Sequence, residues 1–326
     1  MTEITGIATS YDLPNYLGVL FQKSDKPNSF LRALNGLVLE AGQMPSARPT
    51  GQPKFAMGVN YALPAPAQPA VLEGASPTAS ETDTAQEDNI VQIFHEAVEL
   101  TYSRLAATQA ISGIASAPGG GDGALLNPGT FPFQLRLKYQ KIAQDINFST
   151  LRGSYASPAN NVTARKTRGV RTAITTHDTD GAAGALTKAM VEGHLQGMVE
   201  GGALAMGADI WVFGAATPIN KLAALYKGSG DVQPPVSRTV VGLQVRTIYT
   251  DWAVMNLVWE PDVAALELVT IQPQFCQLVH MPIPGKGTLF PEPLDKDGSA
   301  EKMQIYGELG IDYRSEFYHG VIRDFT

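Results

Sequence analysis

The sequence predicts a mixed α+β fold that projects a long two-stranded arm, and three stretches predict it. Phe55, Met57, Val59, Tyr61 and Leu63 alternate with Ala56, Gly58, Asn60 and Ala62, which is the period of a strand. Phe131, Leu135, Tyr139, Ile142 and Ile146 recur at spacings of four, four, three and four, which is the period of an amphipathic helix. From Val240 onward, short apolar runs separated by turn residues or proline read as a succession of strands.

Residues up to about Ser46 read as an arm carrying a short helical segment, Phe30, Leu31, Leu34, Leu37 and Val38, with Ser29 placed to cap it. The same pattern fits a terminal helix packed on its own domain. After Leu63 the chain runs through Pro64, Pro66, Pro69 and Pro77 among Ala, Ser, Thr and acidic residues as far as Gln86. Nothing in that stretch can build a core, so it reads as a stiff, polar tip. A β-branched run, Ile90, Val91, Ile93, Val98 and Thr101, then reads as the returning strand, although Ile90, Phe94, Val98 and Thr101 could equally line one face of a helix. An isolated hairpin is marginally stable in water, so an arm of this kind calls for a partner surface and predicts assembly.

Ser116 to Thr130 contains Gly119, Gly120, Gly121 and Gly123 but no Gly-Lys-Ser or Gly-Lys-Thr, which makes it a linker rather than a phosphate cradle. The helix over residues 131–151 would be about 30 Å long, with Arg136, Lys138, Lys141 and Asp145 off its apolar stripe. A second helix is expected from Ala185 to Val199, ended by Gly201-Gly202. Within it Gly193, Gly197 and Gly201 fall four apart, which costs helix propensity but allows close approach. Asp209 to Phe213 reads as a buried strand, and Thr217 to Tyr226 as a helix with Pro218 at its first position. Val240 to Thr250, Ala253 to Trp259, Ala264 to Ile271 and Phe275 to Met281 read as strands. Met303, Ile305, Leu309, Ile311 and Tyr313 mark a last one with a single buried face. No solenoid or propeller repeat is visible.

At 326 residues and 44% hydrophobic content the chain fits two lobes, or one lobe with long excursions. Its 24 basic residues are scattered against 31 acidic ones, for a formal charge of −7, so it carries no basic footprint for tight nucleic-acid binding. Cys276 is the only cysteine, which excludes an internal disulfide framework and a cysteine-based zinc cluster and reads as a small buried hydrophobe. Met1 to Tyr11 has no Lys or Arg ahead of an apolar stretch, and no run approaches the roughly 18 apolar residues of a membrane span. A soluble product made in a reducing cytoplasm is the expectation. The triplets Asn147-Phe148-Ser149 and Asn161-Val162-Thr163 are then chance matches to the glycosylation pattern.

The five histidines, His95, His177, His194, His280 and His319, are spread out, and no pair has the spacing of paired metal ligands. His177, Asp178, Asp180 and His194 form the best constellation for a hydrolytic metal site, but a His-Asp-Thr-Asp run ahead of a helix is more simply a cap and turn. No Gly-x-Ser-x-Gly elbow occurs. The sequence therefore assigns no catalytic, cofactor-binding or metal-binding residue, expects no cofactor, and gives catalysis no support.

The order of these segments resembles the major capsid proteins of tailed bacteriophages with the Hong-Kong-97-type fold. The likeness rests on Phe55 to Leu63, Glu73-Gly74-Ala75, Asn89 with Gln92-Ile93-Phe94, the helix after Phe131, and the Arg168-Gly169 and Gly201-Gly202 turns. It closes on Tyr306-Gly307-Glu308-Leu309 with Glu316 and His319-Gly320. It covers most of residues 45–326. What it implies is an N-terminal arm over residues 1–50 and an extended loop over 51–104. A peripheral domain would take 105–164 and 300–326, with a spine helix at 131–151, and an axial domain 165–299. The implied function is a virion protein, made in the host cytoplasm, that self-assembles into pentamers and hexamers of an icosahedral head enclosing double-stranded DNA.

The implied partners are other copies of the chain through arm and loop, a portal, a possible scaffold and a decoration protein, with DNA touched only non-specifically and no membrane. Some members of that family join subunits through a lysine-to-asparagine isopeptide bond. Lys54 is the one lysine of the extended loop and lies at its base, where it reads as a solvated charge, so non-covalent locking is expected. An encapsulin-like compartment is the alternative within the same fold, and a metal-dependent hydrolase around His177 and His194 the alternative from another class.

Overall fold

The computed structural model describes residues 26–34, 47–102, 131–227, 236–240 and 243–326, apart from residues 64, 69, 77, 78, 161 and 297. In chain order these residues form α1 (Ser29–Ala33), β1 (Arg48–Pro49), β2 (Lys54–Tyr61), β3 (Thr84–Ile90), β4 (Gln92–Thr101) and α2 (Phe131–Arg152). Next come α3 (Val170–Ala173), β5 (Asp178–Gly184), α4 (Lys188–Glu200), β6 (Ala208–Gly214), α5 (Ala216–Leu225) and β7 (Val236–Val240). The chain closes with β8 (Leu243–Tyr249), β9 (Ala253–Trp259), β10 (Glu267–Ile271), β11 (Gln277–His280), β12 (Phe290–Leu294), β13 (Ala300–Asp312) and β14 (Gly320–Phe325).

Three sheets result. A seven-stranded sheet runs β5-β14-β10-β6-β9-β8-β7, and a five-stranded sheet runs β1-β11-β13-β12 with β4 also paired to β13, while β2 and β3 pair only with each other. The strand β6, central in the seven-stranded sheet, is buried on both faces, which explains why it reads as an unbroken apolar run. Ile210 and Val212 join the core under α4 and α5, whereas Trp211 and Phe213 turn to the other core. That second core holds α1, the root of β2, the spine helix α2 and the five-stranded sheet.

The spine helix has 22 residues, about 33 Å at 1.5 Å per residue. Tyr139, Ile142, Ala143, Ile146 and Leu151 face the core. The first two turns of the predicted stripe, Phe131 and Leu135, are only half-buried. Of the off-stripe charges, Lys138 pairs with Glu96 of β4 at 2.7 Å and Lys141 pairs with Asp145 one turn on.

The structure corrects several expectations. The strand that returns along the arm is β3, which starts in what reads from sequence as the polar tip and ends at Ile90, and the rest of the apolar run, 92–101, is instead a strand of the body, β4, paired over ten residues with β13. β3 is exposed on both faces over its first residues, so it needs no apolar alternation and gives none. The run 92–101 is a strand and not a helix, with Phe94, Val98 and Leu100 inward.

Ser29 does not cap α1. Asn28 holds the cap position, and the Ser29 hydroxyl donates instead to the Trp259 carbonyl at 2.7 Å. The second helix starts at Lys188 with the Thr187 hydroxyl accepting from the Met190 amide, and Pro218 lies at the third position of α5 rather than the first. Asp178-Thr179-Asp180 is no cap and turn but the edge strand β5, laid parallel to β14. Its aspartates are held by Arg323, at 2.8 Å from Asp178 and 3.0 Å from Asp180. Residues 320–325 thus belong to the seven-stranded sheet, apart from β13. The run expected from Val240 to Thr250 is split between β7 and β8, which pair as a hairpin. Leu37, Val38, the glycine-rich linker at 116–130 and Asn161 lie outside the described residues.

Candidate assembly interface

The arm leaves the body through a root built of polar locks. Asn89, fully buried, is the central one. Its side-chain amide donates to the carbonyls of Ile311 at 2.8 Å and Arg168 at 3.0 Å, while its carbonyl accepts from the amides of Arg168 and Ile90, both at 2.9 Å. Every hydrogen-bonding site of that side chain is used, so the start of the arm is tied at once to the end of β13 and to the Arg168-Gly169 turn.

Around this lock, Arg48 pairs with the buried Asp312 at 3.1 Å. Lys54 pairs with Asp88 across the hairpin at 2.8 Å, and the Tyr155 hydroxyl donates to the same Asp88 at 3.0 Å. Hydrogen bonding to Lys54 holds the Asp88 carboxyl below the usual range, against the smaller effect of burial. The Arg168 guanidinium lies 4.7 Å over the Tyr155 ring, a cation–π contact. Gly58 completes the root: its amide donates to the Arg314 carbonyl at 3.2 Å, and a Cβ there would come within 2.9 Å of the same oxygen. Only glycine permits this approach.

Beyond the root, a one-residue register shift between Ala56 and Val59 switches the side-chain alternation of β2, and the next large apolar residues face solvent instead of the core. Phe55 and Met57 are 6% and 8% exposed in the core, but Val59, Tyr61 and Leu63 are 57%, 67% and 76% exposed. At the tip, Val71 and Leu72 are also open to solvent. Between the outer part of the hairpin and the turn at residues 315–318 runs an open groove of about 790 Å³, walled by Tyr61 and Leu63 on one side and Phe317 and Tyr318 on the other. An exposed apolar stripe of Val59, Tyr61 and Leu63 on a projecting hairpin is unfavourable for a lone subunit, and it marks a surface made to be covered.

The residues considered for metal or nucleophilic chemistry do not form a centre. His194 is buried with its Nδ1 at 2.8 Å from the Thr179 hydroxyl, and burial, with the nearby His177 adding to it, pushes its pKa down to about 4. His177 is likewise pushed down by burial and packs against the Phe317 ring. Asp178 and Asp180 are engaged by Arg323, and among the described residues no three His, Cys, Asp or Glu side chains gather as metal ligands. Cys276 lies 3.7 Å from His319 Nε2. Burial pushes that thiol up and the imidazole down, to about 4. A nucleophilic pair needs the opposite, a thiolate beside an imidazolium. His319 instead bridges structure, within 3.2 Å of the Tyr313 carbonyl through Nε2 and accepting from the Gln272 amide through Nδ1. Asn147 of the chance glycosylation triplet is wholly buried.

Similarity to known proteins agrees with a shell component. The fold resembles the capsid asymmetric unit of cyanophage A-1(L), with a TM-score of 0.63 at 12% identity over 98% of this chain and 99% of the other. It resembles the SrpI encapsulin of Synechococcus elongatus PCC 7942, with a TM-score of 0.59 at 11% identity over 94% and 91%. It also resembles the capsid of a native GTA particle, with a TM-score of 0.57 at 9% identity over 99% and 100%. No curated protein matches the chain. At these identities the likenesses speak to fold alone, so the encapsulin is a relative in architecture. The family model for the SU10 major capsid protein matches residues 3–326, and the chain therefore belongs to the SU10 major capsid protein family, as a major capsid protein of a phage and a component of its virion.

Proposed function

We propose that the chain forms pentamers and hexamers of an icosahedral head closed around double-stranded DNA, with the β2–β3 hairpin laid across an adjacent subunit as the extended loop. The observation that carries this reading is the apolar stripe of Val59, Tyr61 and Leu63, which the hairpin holds in open solvent beyond its buried root. Covering one such side chain stabilises an assembly by roughly 1.5–3 kcal/mol, and shell contacts repeat that gain at every subunit. In this reading the arm containing α1 is the second tie. The five-stranded sheet with α2 is the peripheral domain, and the seven-stranded sheet with α4 and α5 is the axial domain. The role is structural and non-enzymatic, and a portal, a scaffold and a decoration protein are its partners. The formal charge of −7 suits a shell that encloses DNA without binding it tightly.

Locking is non-covalent in this reading, because Lys54 is spent on Asp88 within its own hairpin. The test uses a photo-crosslinking amino acid placed at Leu72, which is 86% exposed at the hairpin tip. Irradiated shells are expected to give a subunit dimer on a denaturing gel, and unirradiated shells a single monomer band. Absence of the dimer would remove the hairpin from the intersubunit contact. A ladder without irradiation would show a covalent link.

A further inference from the structure

The helix α1 is held by a clasp of buried polar side chains. A helix of five residues has no stability of its own, so α1 exists only while docked. Its apolar side is inserted in the core, with Phe30 edge-to-face on Phe213 at 5.5 Å. Its polar attachment runs through two buried side chains from elsewhere. The Phe30 amide donates to Glu260 Oε2 at 2.8 Å, and the Leu31 amide donates to Asn147 Oδ1 at 3.0 Å. The Asn147 side-chain amide then donates to two carboxylates at once, Glu260 Oε1 at 3.0 Å and Asp262 Oδ2 at 2.7 Å.

Glu260 is completely inaccessible, and among the described residues no Lys or Arg forms an ion pair with it. The charged groups on the elements around it leave it so. Asp262, two residues on, repels it. Arg152 of α2 donates to the Asp262 backbone carbonyl at 3.4 Å. Asp145 of α2 pairs with Lys141, and Arg246 of β8 turns to Asn220 of α5. Asp209 is at the far end of β6, whose last residue, Gly214, accepts the Glu260 amide. Arg32 closes α1 itself.

Among the described residues, an ionised Glu260 would therefore be a buried charge with only neutral donors and a like charge beside it, which is unfavourable in a low-dielectric interior. We propose that the Glu260–Asn147 clasp is a proton-linked latch for the N-terminal arm, with α1 docked most firmly when Glu260 holds a proton and released more readily once it has lost it. Burial pushes the docked carboxyl up to about 7, against the hydrogen bonds from Phe30, Asp262 and Asn147. Release exposes the group and returns it to the ordinary carboxylate range near 4.5. Between those limits the docked state carries the extra proton, so docking weakens by up to about tenfold per pH unit as pH rises, and levels off above about 7.

Hydrogen exchange of the Phe30 and Leu31 amides in the purified full-length chain, corrected for intrinsic exchange and followed from pH 5.5 to 8.5, tests this directly. Their protection is expected to fall by at least about tenfold and then level off, Glu260→Gln to flatten the profile, and Asp262→Asn to move the levelling point to lower pH. Constant protection in the wild-type chain would overturn the latch, as would an unchanged slope in Glu260→Gln. If that variant does not fold, the wild-type and Asp262→Asn profiles decide the matter, and a levelling point that Asp262→Asn leaves in place would overturn it.

Discussion

Replacing Tyr61 and Leu63 together by aspartate is expected to abolish closed shells while leaving the subunit's own unfolding free energy within about 1 kcal/mol of wild type, since surface changes without buried partners cost little. Both side chains are mostly exposed and lie beyond the root where Phe55 and Met57 enter the core. Their loss should be felt only where another surface covers them. Covering two side chains of this size is worth roughly 3–6 kcal/mol per contact, and the substitution replaces that gain with the cost of desolvating two carboxylates. Sedimentation of the purified variant beside denaturant unfolding separates the two effects. Normal shells would mean that the stripe contacts nothing in the assembly, and a destabilised subunit would mean that it folds back on its own body.

The opposite result is expected at the spine. Ile146 is wholly buried in α2, in the core it shares with α1 and the five-stranded sheet. Ile146→Asp would place a carboxylate there without a cation, a loss of more than about 4 kcal/mol out of a total of roughly 5–15. No soluble subunit should be recovered, whereas Ile146→Val, which removes one methyl group, should cost about 1 kcal/mol and still assemble. Soluble, assembling Ile146→Asp would show that this face of the helix is not the core.

How far the sequence disclosed this arrangement depended on how each element is buried. The helix α2 was legible because it buries one face and its apolar positions keep the period of the structure, and the strand β2 because its large residues alternate in sequence, although a register shift between Ala56 and Val59 divides them between core and solvent. The bounds of β9, Ala253 to Trp259, coincide with the run read from sequence. β3 and β5 were not legible, because Thr-Ala-Gln-Glu-Asp and Asp-Thr-Asp-Gly-Ala-Ala-Gly bury little and owe their shape to a neighbouring backbone.

The apolar half of the interface, from Phe55 to Leu63, could be read as an arm in search of a partner. Its root could not. Asn89 takes its partners from Arg168 and Ile311, 79 and 222 positions away, and no spacing along the chain announces such a lock. Nothing in the sequence singles out Glu260, which precedes Pro261, and only the fold shows it buried against Phe30.

The most direct measurement is cryo-electron microscopy of the particles formed by the full-length chain, expressed with the genes that adjoin its own. The account predicts closed shells in which Val59, Tyr61 and Leu63 of each hairpin are buried against a neighbouring subunit. Shells that leave this stripe in solvent, or preparations that never close into shells, would contradict it.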